Sequence, residues 1–353
     1  MKPRVLLVGR RRYSLPLPSS EARKFDALRE VVDLHVLGSG VGGDETFTLV
    51  PPFAVRALDG LVFHLLLPFR VARLVRAFRP DVVLVQGAHD TAGALVGRVL
   101  ARRRVPVILD LHGDWRTATR LYGSRWRNLL SPVADAVAAW AVRHADRVRT
   151  ISDFTSRLVR EQGVEPAATF PAFMDLDAFL APPLPLPERR RALFVGVLEL
   201  YKGVDVLAAA WPRVNRAELH VVGKGRRAAY VERIATRWDR ELPPDGVARA
   251  LDDATCLVLP SRGEGMGRVV VEALLRGRPV VGTRGGGIED LVRDGENGLL
   301  VAPDDPDALA AALERVLADR ALAERLAAAA RPSVERWVAT PEEYASRLRA
   351  LLD

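Results

Sequence analysis

The sequence predicts an α/β protein made of two Rossmann-like, doubly wound parallel-sheet domains, and three observations predict it. Short apolar runs alternate with helical stretches through the first half, a Pro-rich segment (Leu180-Ala-Pro-Pro-Leu-Pro-Leu-Pro-Glu188) interrupts the chain, and the alternation then restarts. Strands alternating with helices imply a parallel sheet with crossover helices, with ligands at the carboxyl ends of the strands. The 353 residues, 49% of them hydrophobic, exceed what one core ordinarily holds. The expected organisation is a first domain over residues 1–180, a second over 181–332 and a terminal helix over 333–353.

In chain order, the first half offers strands at Val5–Val8, Val31–Leu37, Val82–Gln86, Val105–Asp110 and Arg147–Ile151. Helices are expected at Ser20–Arg29, Thr91–Arg103 and Val133–His144, and Gly9-Arg-Arg-Arg-Tyr-Ser-Leu-Pro16 reads as a loop after the first strand. The strand Arg104-Val-Pro-Val-Ile-Leu-Asp-Leu ends in His112-Gly113, which puts an imidazole at a strand tip. The four prolines after Leu180 read as a stiff linker. Beyond it come a strand at Ala192–Gly196, Lys202-Gly203, and Leu219-His-Val-Val-Gly223-Lys-Gly225, a strand running into a Gly-x-Gly turn. That turn is a weak dinucleotide fingerprint, because the third Gly and the ribose-binding acid are missing.

The most informative segment follows. Cys256-Leu-Val-Leu-Pro260 is an apolar strand stopped by its proline, a Gly-rich turn holds Glu264, and Met266–Arg276 has helical spacing. Glu264 and Glu272 have seven residues between them. A strand, a turn and a helix N-terminus in succession present unpaired N–H groups and the positive end of the helix dipole, which suit a phosphate. The strand Arg278-Pro-Val-Val-Gly282 then leads to Gly285-Gly286-Gly287, whose backbone can approach a ligand closely.

These residues resemble the nucleotide-sugar site of retaining glycosyltransferases of the GT-B fold, family 4 (glycosyl transferases group 1), whose signature is two Glu seven residues apart. Asp294-Gly-Glu-Asn-Gly-Leu-Leu-Val and Asp304-Asp-Pro-Asp-Ala-Leu extend the resemblance. It implies two domains facing a cleft, with the terminal helix packed back on the first domain. Glu264 would lie by the donor sugar, the amides of Gly265, Met266 and Gly267 by the sugar and phosphate, and Glu272 on the ribose hydroxyls. Gly196, Gly223 and Gly286 would line the donor pocket, Lys202 would hold the diphosphate, and His112 would approach the donor sugar or acceptor. The family's second phosphate-binding cation is Val197 here, a role that Arg226, Arg268 or Arg284 could fill. Ala172 and Phe173 replace a customary Asn-Gly.

The implied reaction is transfer of a sugar from a UDP- or GDP-sugar to a sugar, lipid-linked or polysaccharide acceptor, with retention and without a metal or other cofactor. The Asp-x-Asp triplets at Asp175 and Asp305 read as a pre-linker turn and a helix cap. The alternatives are a non-catalytic partner subunit of this fold, motivated by Val197, Ala172 and the loop at Gly9, a sugar phosphorylase, and a nucleotide-sugar epimerase.

Composition narrows the setting. The lone Cys256, in an apolar strand, excludes a disulfide framework and a Cys-based metal site. The opening residues lack the long apolar core of a signal peptide, which predicts a cytoplasmic protein. All of the net +8 lies in residues 1–180, with 26 Lys and Arg against 18 Asp and Glu. No basic motif interleaved with aromatics accompanies it, which argues against nucleic acid. Within Arg56–Arg79, however, Arg70, Arg73 and Arg76 share one helical face opposite Val71, Leu74, Val75 and Phe78. That is either an ordinary surface helix or a surface for anionic lipid at the inner face of the plasma membrane.

Overall fold

The computed structural model describes residues 2–54, 59–120 and 125–352. The chain divides into two compact units, Met1–Phe173 with Ala339–Asp353, and Met174–Val338. In the first unit the elements are β1 (Arg4–Tyr13), α1 (Ser19–Val31), β2 (Asp33–Gly40), β3 (Phe47–Val50), α2 (Asp59–Phe78), β4 (Val82–Gln86), α3 (Ala88–Ala101), β5 (Val107–Leu111), α4 (Trp115–Arg120), α5 (Arg125–His144), β6 (Arg147–Thr150), α6 (Asp153–Arg160) and β7 (Ala168–Thr169). Among the described residues the strands form one parallel sheet, ordered β3-β2-β1-β4-β5-β6-β7.

A parallel sheet covered on both faces needs strands that are apolar throughout, which is how β4 (Val-Val-Leu-Val-Gln) and β5 (Val-Ile-Leu-Asp-Leu) read. Pleating sends alternate residues of β1 to opposite faces. Val5 and Leu7 join Phe25 and Leu28 of α1, whereas Leu6 and Val8 join Phe63, Leu67 and Val71 of α2. The C-terminal helix, Pro341–Leu352, lies against α1 and adds Tyr344, Leu348 and Leu351 to the first of these cores.

Four readings of the sequence are corrected. Arg10–Arg12 are not a loop but the continuation of β1, which pairs with β2 again after a register shift, Arg12 with Ser39 and Tyr13 with Gly40. The strand is carried past the three exposed arginines by Tyr13, buried against Phe25 and Phe47 at ring-centroid distances of 5.8 and 5.4 Å. Val31 closes α1, and β2 starts at Asp33. The terminal helix starts at Pro341 rather than Ser333, since Thr340 and Glu343 form a reciprocal cap: the Thr340 amide donates to Glu343 Oε2 at 3.1 Å and the Glu343 amide to Thr340 Oγ1 at 3.2 Å.

The fourth concerns the Pro-rich segment, which is strapped to the second unit rather than free. Proline removes donors but leaves carbonyls, and arginines serve them. Arg276 donates to Ala181 O at 2.8 Å, the fully buried Arg278 to Leu184 O at 2.9 Å, Arg320 to Pro187 O at 2.7 Å and Arg331 to Leu180 O at 2.8 Å. The change of unit therefore falls before this segment, between Phe173 and Met174.

The second unit contains β8 (Arg191–Val195), α7 (Val204–Ala210), β9 (Glu218–Val222), α8 (Ala228–Glu232), β10 (Arg237–Asp239), α9 (Pro244–Asp252), β11 (Cys256–Leu259), α10 (Arg268–Leu275), β12 (Val280–Thr283), β13 (Gly298–Val301), α11 (Pro306–Ala318) and α12 (Arg320–Val334). Its strands are parallel in the order β10-β9-β8-β11-β12-β13. The direction of winding reverses between β8 and β11, so the loops leaving their carboxyl ends form the crevice where open α/β sheets take ligands.

Candidate active site

Both loops at that reversal carry residues singled out in the sequence. The loop after β8 holds Gly196 and Lys202, and the loop after β11 holds Glu264, Gly265, Met266 and Gly267. Glycines let these loops touch backbone to backbone. A Cβ on Gly223 would collide with the Gly196 carbonyl, one on Gly203 with that of Pro260, and one on Gly287 with that of Gly265. Gly203 and Gly223 also have φ of 68° and 151°, which a side chain would strain. Gly286 abuts the Glu264 backbone, and the Gly287 amide donates to Glu264 O at 2.8 Å. The loops after β8, β9, β11 and β12 are thus locked into one surface.

On that surface Lys202 Nζ donates to Glu264 Oε1, and Ser261 Oγ donates to the same oxygen at 2.9 Å. Thr283 of β12 fixes Ser261 by donating to its carbonyl. Both partners of the Lys202–Glu264 pair are mostly buried, with side chains 15% and 12% exposed, so solvent screens it weakly. Gly267, at φ 77°, starts α10, and no side chain caps that helix end. One turn on, Glu272 is buried and accepts from Arg268 Nε at 2.6 Å. Burial raises the Glu272 carboxyl above its usual range, with Arg268 opposing.

The three arginines considered as replacements for the cation absent at Val197 are each engaged. Arg226 pairs with Glu199 at 2.9 Å, Arg268 with Glu272, and Arg284 with Asp294 at 2.5 Å. Sequence reading missed Arg262, which binds Asp205 at 2.8 Å and Asp304 at 2.6 Å and so ties the β11 loop to α7. Asp305 caps α11 by accepting from the Ala308 amide at 2.8 Å.

His112 belongs to the first unit, just beyond β5. Its Nε2 lies 2.8 Å from Asp110 Oδ2, and the other Asp110 oxygen accepts from Arg149 Nη1. Asp110 and Arg149 are both fully buried. Arg149 also donates to the carbonyls of Phe170 and Pro171, both at 2.7 Å, with its guanidinium 3.9 Å from the Phe170 ring centroid. Burial alone would raise the Asp110 carboxyl, but Arg149 and His112 overcome it and hold it well below the ordinary range. The two residues are close in the sequence, Asp110 on β5 and His112 one residue past its end.

Lys24 of α1 is buried beside this network, its Nζ 5.3 Å from the Phe25 ring centroid and 5.7 Å from that of Tyr344. Burial pushes its ammonium down to about 8, with Arg11 and Arg149 adding and Asp110 opposing. A base whose pKa falls on folding costs stability while charged in both states, and the cost fades as pH rises from about 8 toward the ordinary lysine value. Lys24→Met is therefore expected to stabilise the protein by roughly 1–3 kcal/mol at pH 7. Thermal melts across pH 7–10 should show that gain shrinking, and a constant gain would contradict it.

Two parallel-sheet α/β units, the second with glycine-locked loops and a Lys–Glu pair at its winding reversal, define the chain as GT-B in fold. Solved structures agree on the fold: a sucrose-phosphate synthase from Thermosynechococcus elongatus superposes with a TM-score of 0.78 at 20% identity, over 99% of this chain and 98% of that one. Anabaena HepE in complex with UDP-glucose gives a TM-score of 0.69 at 17% identity, over 99% of both chains.

Family models place it more narrowly. Residues 189–319 match the model described as glycosyl transferases group 1, and residues 9–171 match the glycosyl transferase 4-like domain. A glycogen synthase of Mycobacterium tuberculosis is 32% identical over 273 residues, 72% of this chain and 64% of the relative, so the match spans less than two thirds of that protein. The chain belongs to the group 1 glycosyltransferases, family 4.

Proposed function

We propose that the chain is a retaining, metal-independent glycosyltransferase that moves a sugar from a UDP- or GDP-sugar to a sugar, lipid-linked or polysaccharide acceptor. The observation that carries this reading is the Lys202–Glu264 pair beside the uncapped end of α10, at the winding reversal of the second sheet. In this reading the amides of Gly265, Met266 and Gly267 and the Lys202 ammonium receive the diphosphate, which puts positive charge where the leaving group gains negative charge. Glu264 keeps Lys202 in place and faces the donor sugar, Glu272 holds the ribose hydroxyls, and Gly196, Gly223 and Gly286 let the backbone close on the nucleotide. Departing phosphate accepts the acceptor proton on the same face, which retains configuration without a second carboxylate. The first unit takes the acceptor, and His112, oriented by Asp110, meets the acceptor or the donor sugar. With a lipid-linked acceptor the chain works at the inner face of the plasma membrane. HepE, solved with UDP-glucose, supports the choice of donor class.

Thermal-shift measurements against UDP-, GDP-, ADP- and dTDP-sugars test this, since a ligand stabilises the state it binds. Stabilisation by none of them would overturn it. Glu272→Ala is expected to raise the donor KM roughly tenfold or more, the worth of hydrogen bonds to a charged group, with kcat little changed. An unchanged KM would remove Glu272 from the ribose site. A second reading, a non-catalytic partner subunit, draws on Val197, exposed where the family carries a cation. Turnover or donor hydrolysis by the isolated chain separates the two.

A further inference from the structure

The first unit has an apolar surface that its fold leaves uncovered. Helix α2 packs on α3 and α3 on α5 across one face of the sheet. Gly93 and Gly97 draw α3 close to α2, where a Cβ would meet Leu67 and Val71. The outward sides of these helices are greasy: Leu65 and Phe69 on α2 are 62% and 63% exposed, Val96 and Val99 on α3 44% and 71%, and Val133 and Val137 on α5 64% and 42%. Scattered exposed apolar residues need no explanation, but a patch spread over three adjacent helices does.

The charge around this patch is one-sided. From residue 60 to residue 106 the only acids are Asp81 and Asp90, against eight arginines. Asp90 is buried, and Asp81 accepts from the Arg4 amide at 2.8 Å. On α5, Asp135 is held by Arg120 at 2.5 Å. Arg73 and Arg76 are exposed on the second half of α2, beyond the apolar first half, with Arg76 donating to Leu100 O at the end of α3. Just past α3, Arg102, Arg103 and Arg104 line a cavity of about 840 Å³ that Val99 also borders. The acids of that cavity are already committed, Asp146 to Arg98 at 2.5 Å and Asp81 as above, whereas the three arginines have no side-chain partner among the described residues. The expected stretch began at Arg56, but residues 56–58 lie outside the described residues. Within it, Val71 and Val75 turn to the core and Arg73 and Arg76 to solvent, while the guanidinium of Arg70 lies 5.7 Å from the Phe63 ring centroid.

We propose that the α2–α3–α5 face docks the protein on an anionic lipid bilayer, with Leu65, Phe69, Val133 and Val137 entering the interface and Arg73, Arg76 and Arg102–Arg104 meeting phosphate headgroups. Leucine, phenylalanine and valine with arginine, and almost no free acid, is the composition of an interfacial surface. No helix among the described residues is long and apolar enough to cross a membrane, so this attachment is peripheral.

The test uses the full chain and vesicles of phosphatidylcholine with or without phosphatidylglycerol, in the absence of any sugar nucleotide, so its outcome is separate from that of the transferase reading. Binding to the anionic vesicles is expected, weakening with salt. Replacing Arg102, Arg103 and Arg104 by Ala should weaken it by about fivefold per arginine. Leu65→Asp with Phe69→Asp should abolish it at low salt while leaving the melting temperature and nucleotide-induced shift in place. Failure of the wild-type chain to bind, equal binding to neutral vesicles, or an undiminished Asp variant would each overturn the proposal. A concentration-dependent dimer in light scattering that the same Asp variant dissolves would also overturn it, since a second copy would then cover the face.

Discussion

Lys202→Ala is expected to lower kcat by roughly 10²–10³-fold, the cost of removing one preorganised group that stabilises developing charge. The size follows from where the ammonium is held. Its side chain is 15% exposed and is pinned by Glu264, which Ser261 and Thr283 hold in turn. On the proposed reading no reorganisation is then needed as the phosphate departs, and weak solvation strengthens the interaction. The absence of a cation at Val197, with Arg226, Arg268 and Arg284 all paired elsewhere, leaves Lys202 few substitutes. Donor affinity measured by calorimetry should change less than kcat, because the interaction grows in the transition state. A purely structural role would instead appear as a lower melting temperature with turnover preserved per folded molecule. Near-normal turnover would show that the phosphate lies elsewhere.

Asp110→Ala should be the most damaging single change to stability, at about 3–5 kcal/mol, because it strands the fully buried Arg149 without its counter-ion. The carbonyls of Phe170 and Pro171 still satisfy part of the guanidinium but cannot neutralise it. Asp110→Leu combined with Arg149→Met should recover much of the loss, since an apolar pair of similar volume can replace a buried ion pair. A double variant as unstable as the single one would refute the ion-pair explanation. The pH dependence has a defined sign. The carboxyl is held below its unfolded range, so its contribution is complete above about pH 4 and is lost as pH falls toward the folded value. Melts of the wild type should therefore drop on acidification below pH 4, and those of the double variant should drop less.

Much of the site was legible in the sequence because its signals are local. The proline ending β11, the glycines around Glu264 and the helical period from Met266 fix a strand, a turn and a helix within a few residues of one another, whatever surrounds them. The central buried strands of both sheets were legible for the same reason, whereas β3 and the fully buried β13 were not read as strands. Where local signal and surroundings conflict, the sequence misled: Arg10–Arg12 look like a loop, yet Tyr13 and the edge of β2 draw them into β1. The Pro-rich segment looks like a stiff linker between domains, yet four arginines from distant positions bind its carbonyls and hold it on the second unit.

By itself, then, the sequence determined the α/β class, the parallel strands and the placing of Glu264 in the loop after a strand, Glu272 within the helix that follows, and Lys202 and His112 just beyond strands. Only the tertiary structure decided who meets whom. Lys202 reaches Glu264 across 62 positions and Asp110 reaches Arg149 across 39. Such pairings depend on strand order, which places β8 beside β11 and β5 beside β6. Strand order is settled by the burial of whole faces, a property of the assembled sheet that no short stretch of residues carries.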